Sequence, residues 1–438
     1  MENQESDLID QIRQQYDYAP YPRIPLEKSP ESEYELLYLH NLVTAYYFRN
    51  RKVVNTQGKL ILDAGCGSGY KSLILATANP GAKIVGIDLS EESVRLARHR
   101  LQYHGFENAE FYVMKIEELP SLGVEFDYIN ADEVLYLLPD AVVGLQAMKS
   151  VLKPDGIIRT NLHSSIGRSV MLRAQAAFRA MGLMNQTPGE LEVEIVREIM
   201  DALQDAIWLK AVSWDADRAK DERWIMVNYL LLGDKGCSVP ELFALLRAAD
   251  LDFISMVAWS RWDLMDVFKD PDDLPPFLAM SLPETSVEER LHLFELFHPL
   301  HRLFDFWCGN PGTQAFVPVA EWTEADWQSA RVHLHPQLRN SQTREDLSNS
   351  IASEMPFEIS RYITVATLAP VAIESTIAAC LLPLWDGPQS AVSLVQKWLK
   401  IRAEAVVNLD PAAQETAFDE VKELLTRLEV SLYVLLER

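Results

Sequence analysis

Residues 62–70 read LDAGCGSGY, and the fold turns on this stretch. The apolar run Lys59–Ala64 before it predicts a short strand, and Tyr70–Thr77 after it predicts a helix. Between them Gly65, Gly67 and Gly69 make a turn whose backbone can approach a ligand with no Cβ in the way. Reading outward, Asn79-Pro80-Gly81 ends the helix and Lys83–Asp88 is a second strand. Ser90 is placed as the N-cap of a helix that runs to about Tyr103. Glu110–Met114, Phe126–Ala131 and Gly156–Asn161 are the third, fourth and fifth strands, with a helix from about Asp140 to Leu152 between the last two. Strands alternating with helices at this spacing predict an α/β fold with a doubly wound, mostly parallel sheet.

Open sheets of this kind bind ligands at the carboxyl ends of their strands. Asp88 ends the second strand, nineteen residues after Gly69, where a carboxylate can accept both ribose hydroxyls of an adenosine. The dinucleotide fingerprint GxGxxG is not met, because Tyr70 stands where its third glycine belongs. Asp63 lies at the end of the first strand, two residues before the first turn glycine. A carboxylate there is unhelpful to a pyrophosphate and useful to an ammonium group. S-adenosylmethionine has that ammonium, a cationic sulfonium and no phosphate. A lone glycine turn is a weak signal. Here Asp63, the glycines, Asp88, Asp132-Glu133 after the fourth strand and the turn Leu152–Gly156 follow one another in order.

Beyond residue 165 the strands stop for about sixty residues. Ser169–Met181 and Leu191–Trp208 have helical periodicity, so 166–225 is read as a helical insertion. Pro240–Ala249 as helix and Asp252–Ala258 as strand resume the alternation. The run 287–307 is read as an amphipathic helix, with Phe304–Trp307 packing it onto the sheet. The expected organisation is an aromatic arm and helix at 1–50, a cofactor-binding core at 51–165, the insertion at 166–225, a return to the sheet at 226–315 and a mostly helical domain at 345–438. The polar text LRNSQTREDLSNS (338–350) is taken as part of the boundary, with helices near 372–385, 389–402 and 411–436.

Residues 60–161 resemble the Rossmann-like, S-adenosylmethionine-dependent methyltransferases. That resemblance implies that Asp63, Gly65, Gly67 and Gly69 cradle the methionine part and Asp88 holds the ribose. The family usually has an aspartate after the third strand for the adenine N6. Here the text is VMKIEELP with Lys115 in that place, so Glu117 or the backbone of Ile116 is the expected substitute. The residues expected around the cofactor are thus Asp63, Gly65, Cys66, Gly67, Gly69, Asp88, Leu89, Ile116, Glu117 and Asp132, joined by Tyr16 and Tyr21 of the arm. YDYAPYPRIP (16–25), VLYLLPDAVVGL (134–145), NLHSSIGR (161–168) and YLLLGDKGCSVPELFALLRAADLDFIS (229–255) are similar to bacterial methyltransferases with a regulatory domain. Protein-lysine methyltransferases of outer-membrane proteins belong to that group. LLPLWDGPQSAVSLV (381–395) is similar to their C-terminal winged-helix-like domain.

Methyl transfer from a sulfonium is a direct displacement, which needs alignment, exclusion of water and a deprotonated nucleophile. Tyr136 after the fourth strand and His163 after the fifth are the catalytic candidates. Each has a bland alternative: Tyr136 as a packing residue, His163 as a hydrogen-bonded scaffold histidine. Tyr16, Tyr18 and Tyr21 lie on a proline-rich arm that could cover the cofactor. Glu295, His298 and His301, with His292 upstream, do not share a helix face well, and Pro299 interrupts them, so no metal is expected.

Composition narrows the partners. The chain has 438 residues, 64 acidic and 40 basic, for a formal net charge of −24. Phosphate backbones are repelled by such a chain, so nucleic acid is not an expected partner. The basic run Arg95, Arg98, His99 and Arg100 is read as a solvated helix face beside Glu91 and Glu92. Four cysteines without CxxC spacing suggest no disulfide framework. Residues 1–10 are acidic and polar, unlike a signal peptide. The longest apolar stretch, Ile363–Trp385, holds Glu374, Pro370 and Pro383 and is read as buried rather than membrane-spanning. A cytoplasmic methyltransferase is the expectation. Its acceptor is a protein side chain, with lysine favoured. A small-molecule acceptor and a non-catalytic cofactor-binding protein are the alternatives. The oligomeric state is open, a homodimer among the options.

Overall fold

The computed structural model describes residues 13–14, 22–312, 316–405 and 411–438. Its centre is a twisted sheet built from β1 (Leu60–Ala64), β2 (Lys83–Asp88), β3 (Glu110–Val113), β4 (Phe126–Ala131), β5 (Leu152–Ser164), β6 (Gly236–Cys237), β7 (Asp252–Met256) and β8 (Leu303–Gly309). The order is β3-β2-β1-β4-β5-β8-β7, and β6 pairs with the far end of β5. Only β8 runs antiparallel to its neighbours, β5 and β7. The central strands are buried on both faces because helices cover both: every residue of β4 is buried, as are the last four of β1. The order reverses beside β1, and the crevice this opens at the strand ends is where the site lies.

Strand β8 corrects the reading of 287–307 as one helix. The helix is Val287–Phe297, opened by a reciprocal Ser286–Glu289 cap and closed at His298, just before Pro299. Phe304, Phe306, Trp307 and Cys308 are then buried within the sheet between β5 and β7, and the Trp307 indole donates to the Tyr128 hydroxyl at 3.1 Å. A short apolar run buried on both faces has no period that tells strand from helix. The helical reading of 191–208 also divides, into Glu190–Ala202 and Trp208–Ser213.

The C-terminal part is helical around a small sheet that the sequence did not announce. Its strands are β9 (Arg331–Leu334), β10 (Phe357–Glu358), β11 (Ala372–Ile373), β12 (Gln389–Ser390) and β13 (Val434–Glu437). β12, β9 and β13 form a three-stranded antiparallel sheet; β10 and β11 pair separately. The polar text at 338–350 is mostly not a connector: Ser341–Ala352 is a helix, capped by the Asn340 side chain. The last helix ends at Val430, before β13.

Two N-terminal helices, Tyr34–His40 and Leu42–Asn50, sit between the two parts. Tyr38, Val43 and Tyr47 belong to the C-terminal core, whereas Leu37, Leu42, Ala45 and Tyr46 belong to the core under the sheet. The Tyr38 hydroxyl donates to the Ser431 carbonyl at 2.8 Å, and the Tyr46 hydroxyl to the Asp127 carbonyl at 2.9 Å. The pair therefore buries apolar side chains on two sides.

Candidate active site

A cavity of about 480 Å³ opens at the carboxyl ends of β1, β2, β4 and β5. This is within the range of small-molecule sites. Asp63, Gly65, Cys66, Gly67, Asp88, Leu89, Ile116, Glu117, Asp132, Tyr136 and His163 all line it. Gly69 does not. It caps the helix Tyr70–Ala78 with φ +82°, and a Cβ there would lie 2.5 Å from the Ala97 Cα, so its role is close packing of two helices. Tyr16 and Tyr21 lie outside the described residues.

The glycine turn is closed on itself. The N–H groups of Gly65 and Cys66 donate to the Ile87 carbonyl, at 2.8 and 2.9 Å, and that of Gly69 to the Cys66 carbonyl at 2.9 Å. The Gly67 N–H donates to the Asp88 carboxylate at 2.9 Å. A pyrophosphate cradle needs such donors free. With these four engaged, and Asp63 and Asp88 on either side, the turn suits a ligand with an ammonium and hydroxyls and does not suit a phosphate.

Asp63 is buried. Its carboxylate accepts from the Ser72 hydroxyl at 2.5 Å and the Asn130 amide at 2.9 Å. Burial pushes its pKa up to about 6, and these two hydrogen bonds oppose the rise only in part. Below it a polar network crosses the sheet. Arg159 reaches Asp305 at 3.0 and 2.6 Å, Asn130 at 3.3 Å, and His40 of the N-terminal helix. Burial and the Arg159 charge hold His40 well below the usual imidazole range. Asp132 pairs with Lys71 at 2.6 Å and accepts from the Asn161 amide at 2.6 Å. Burial alone would raise its pKa, but Lys71 and Arg159 outweigh that and keep it ionised.

At the other end of the cavity, the Tyr136 ring stacks on His163 with centroids 3.9 Å apart. The Tyr136 hydroxyl meets Glu133 at 2.6 Å, and His163 Nε2 lies 3.8 Å from the same carboxylate. Glu133 lines the cavity from a left-handed backbone, φ +60°, held by its N–H donating to Asn161 at 2.9 Å. Non-glycine residues in that region are strained, and such strain collects at functional sites. Glu133 stood in the ordered motif set beside Asp132 without a role of its own; Lys71, Asn161 and Asp234 were given no role from the sequence. Asp234, seventy-one residues from His163, gave no signal.

Part of the arm is also in place. Pro22 and Ile24 line the cavity, with Leu36 beside them. The Ser68 hydroxyl donates to the Pro22 carbonyl at 2.6 Å. Arg100 donates to the carbonyls of Ile24 at 2.7 Å, Pro25 at 2.8 Å and Ser68 at 3.0 Å. His104 meets the Leu26 carbonyl at 2.8 Å. Arg100 is thus buried, not part of a solvated basic face. Its guanidinium lies over the Tyr70 ring, 5.7 Å from the centroid, and donates to three carbonyls. Of the histidines considered as ligands, His301 stacks on Trp262 and bonds the Arg261 carbonyl. Glu295 is buried, accepting from Ser164 and from the Val239 N–H.

Comparison with known proteins agrees with this geometry. Residues 55–212 match the family model of a methyltransferase domain. The chain is 28% identical over 323 residues to an uncharacterized protein of Synechococcus sp., covering 71% of this chain and 73% of that one. It is 33% identical over 131 residues to the ubiquinone biosynthesis O-methyltransferase of Bordetella avium, covering 29% of this chain and 52% of the relative. The chain thus spans about half the length of that relative. The fold of PKMT2 from Rickettsia typhi, solved in complex with AdoHcy, superposes with a TM-score of 0.56 at 15% identity, covering 92% of this chain and 75% of that one. The sheet and its crevice have the Rossmann-like (class I) methyltransferase fold. Residues 55–212 thus carry a methyltransferase domain, of the kind that takes S-adenosylmethionine as cofactor. Among the described residues no helix is long and apolar enough to cross a membrane.

Proposed function

We propose that the chain transfers the methyl group of S-adenosylmethionine to an amine on a protein side chain, lysine by preference. In this reading Asp63 holds the cofactor's ammonium, Asp88 its ribose hydroxyls, and Ile116 with Glu117 the adenine edge. Gly65, Cys66, Gly67, Leu89 and Asp132 form the remaining walls, and the 22–26 strap excludes water. The bound cofactor supplies an electrophilic methyl carbon, and as the acceptor's bond to it forms, the carbon–sulfur bond breaks and its electron pair stays on sulfur. The acceptor end is assigned to Glu133, Tyr136 and His163.

One observation carries the preference for an amine. A cavity-lining carboxylate, Glu133, stands beside two stacked aromatic rings, Tyr136 and His163. Carboxylate and aromatic faces together attract an alkylammonium. The fold likeness to PKMT2 over 92% of the chain, C-terminal part included, supports a large acceptor. A small hydroxyl-bearing acceptor is the second reading, supported by the identity to the Bordetella O-methyltransferase, which is confined to 131 residues. Incubation with methyl-labelled S-adenosylmethionine and a bacterial lysate separates the two. Acid-stable, base-stable label in protein bands, lost in Glu133→Gln, is the expected result. Label confined to small molecules would overturn the amine reading.

A further inference from the structure

The hydrogen bonds around His163 carry more than its place on the cavity wall. His163 Nδ1 lies 2.6 Å from Asp234 Oδ1. The other oxygen, Oδ2, accepts from Arg168 Nε at 2.9 Å and from Gln175 Nε2 at 2.8 Å. The Asp234 side chain is fully buried. Three donors therefore converge on one carboxylate in a dry place, and the two oxygens have fixed duties. Burial alone would raise the Asp234 pKa, but the His163 hydrogen bond and the nearby charges of His163 and Arg168 outweigh it and leave it at about 2. Ionised and met by Arg168 and Gln175, which donate, Asp234 only accepts. The imidazole it faces must present Nδ1–H to it, which turns the Nε2 lone pair toward Glu133 and the cavity.

We propose that Asp234 is a positioning residue that fixes His163 in the Nδ1–H tautomer, so that His163 Nε2 takes the proton from the methyl acceptor. This rests on the assignment of the acceptor end to Glu133, Tyr136 and His163. The step balances. An acceptor ammonium gives its proton to Nε2 and becomes a neutral amine. The amine's lone pair forms the new bond to carbon, and the imidazolium later returns the proton to solvent. Asp234 keeps its charge throughout and stabilises the imidazolium. The charged and titratable groups facing His163 are Asp234 and Glu133, the Tyr136 hydroxyl on Glu133, Arg168 behind Asp234, Arg302 on the adjoining cavity wall, and Lys235, whose ammonium is bound to the Leu138 and Pro139 carbonyls. The helical insertion gains a purpose from this. Arg168, Gln175 and the Asn228 segment, which hold Asp234 or one another, flank or belong to it.

The structure dictates what Asp234→Asn does. The carboxamide oxygen must serve Arg168 and Gln175, both of which only donate on that side. Its NH₂ then faces His163 Nδ1 and donates to it, forcing the Nε2–H tautomer and removing the base. Selective ¹⁵N labelling of histidine in the full chain reads the two ring nitrogens directly, with His163→Gln to assign the signal. The wild type should show Nδ1–H, and Asp234→Asn should show Nε2–H. Labelled methyl transfer to lysate acceptors should fall at least about 100-fold in both variants, the range for loss of a general base. Binding of S-adenosylhomocysteine by calorimetry should not change. An unchanged tautomer in Asp234→Asn, or transfer within about threefold of wild type in His163→Gln, overturns the proposal. If Asp234→Asn fails to fold, the wild-type tautomer and His163→Gln decide it alone. If label enters only small molecules, the amine reading fails while the tautomer still decides the role of Asp234.

Discussion

Replacing Asp63 by asparagine should strengthen the empty protein and disable it. The Asp63 carboxyl ordinarily titrates near 3.8, and burial moves it to about 6 in the fold. The folded state therefore binds a proton that the unfolded state has lost between these two values. Stability from this group is full below about 3.8 and is lost as pH rises through about 6. At neutral pH the ionised carboxylate costs the empty protein at most about 3 kcal/mol. Asparagine removes that charge. Its oxygen can keep the Asn130 amide, and the Ser72 hydroxyl can rotate to accept from its NH₂, so no buried polar group is left unmet. Relief of about 1–3 kcal/mol should raise the midpoint of thermal unfolding by several degrees at pH 7.5, at about 2–4 °C per kcal/mol for a domain of this size. At pH 4 the gain should shrink toward zero. Binding of S-adenosylmethionine should move the opposite way, because the cofactor's ammonium loses its counter-charge. In the wild type the affinity should fall about tenfold from pH 7 to pH 5 as Asp63 takes up its proton. In Asp63→Asn it should be weak and flat over that range. Differential scanning calorimetry of the empty proteins and titration calorimetry with the cofactor measure both. An asparagine variant that melts lower at pH 7.5, or that binds as tightly as the wild type, would refute the reasoning.

Other changes probe the same crevice. Gly67→Asp places a charged side chain on a residue with φ +49° that lines the cavity between Asp63 and Asp88, and should abolish binding of S-adenosylhomocysteine by calorimetry. Normal binding by that variant would place the cofactor elsewhere. Arg100→Ala removes three charge-assisted hydrogen bonds from the strap and turn, each worth roughly 1.5–3 kcal/mol net of water for a bond to a charged group. Limited proteolysis should then cut near residues 22–26, and the dissociation constant for S-adenosylhomocysteine should rise about tenfold or more.

The residues assigned to the cofactor could be read because they are local. Asp63, Gly65 and Gly67 lie within five residues at the end of one strand, and Asp88 ends the next. Adjacent parallel strands bring such ends together whatever the rest of the chain does. Gly69 shows the limit of that logic: its need for a missing Cβ comes from Ala97 on another helix. Arg100 shows it again, since nothing in a helical run of basic residues tells which one turns inward to bind carbonyls of a distant strap. Phe304–Trp307 is the same failure in the fold. The strand exists because β5 and β7 offer it ladders on both sides, and neither is adjacent in sequence.

By itself, then, the sequence determined the sheet's first five strands, the glycine turn and the two carboxylates that match an adenosyl amino acid, because hydrophobic period and turn chemistry act over a few residues. Tertiary structure alone decided what surrounds the two candidates Tyr136 and His163. Asp234 reaches His163 across seventy-one residues, and the insertion must fold before Arg168 and Gln175 can fix that carboxylate. Chemistry that depends on a burial shared by distant segments has no local pattern to betray it.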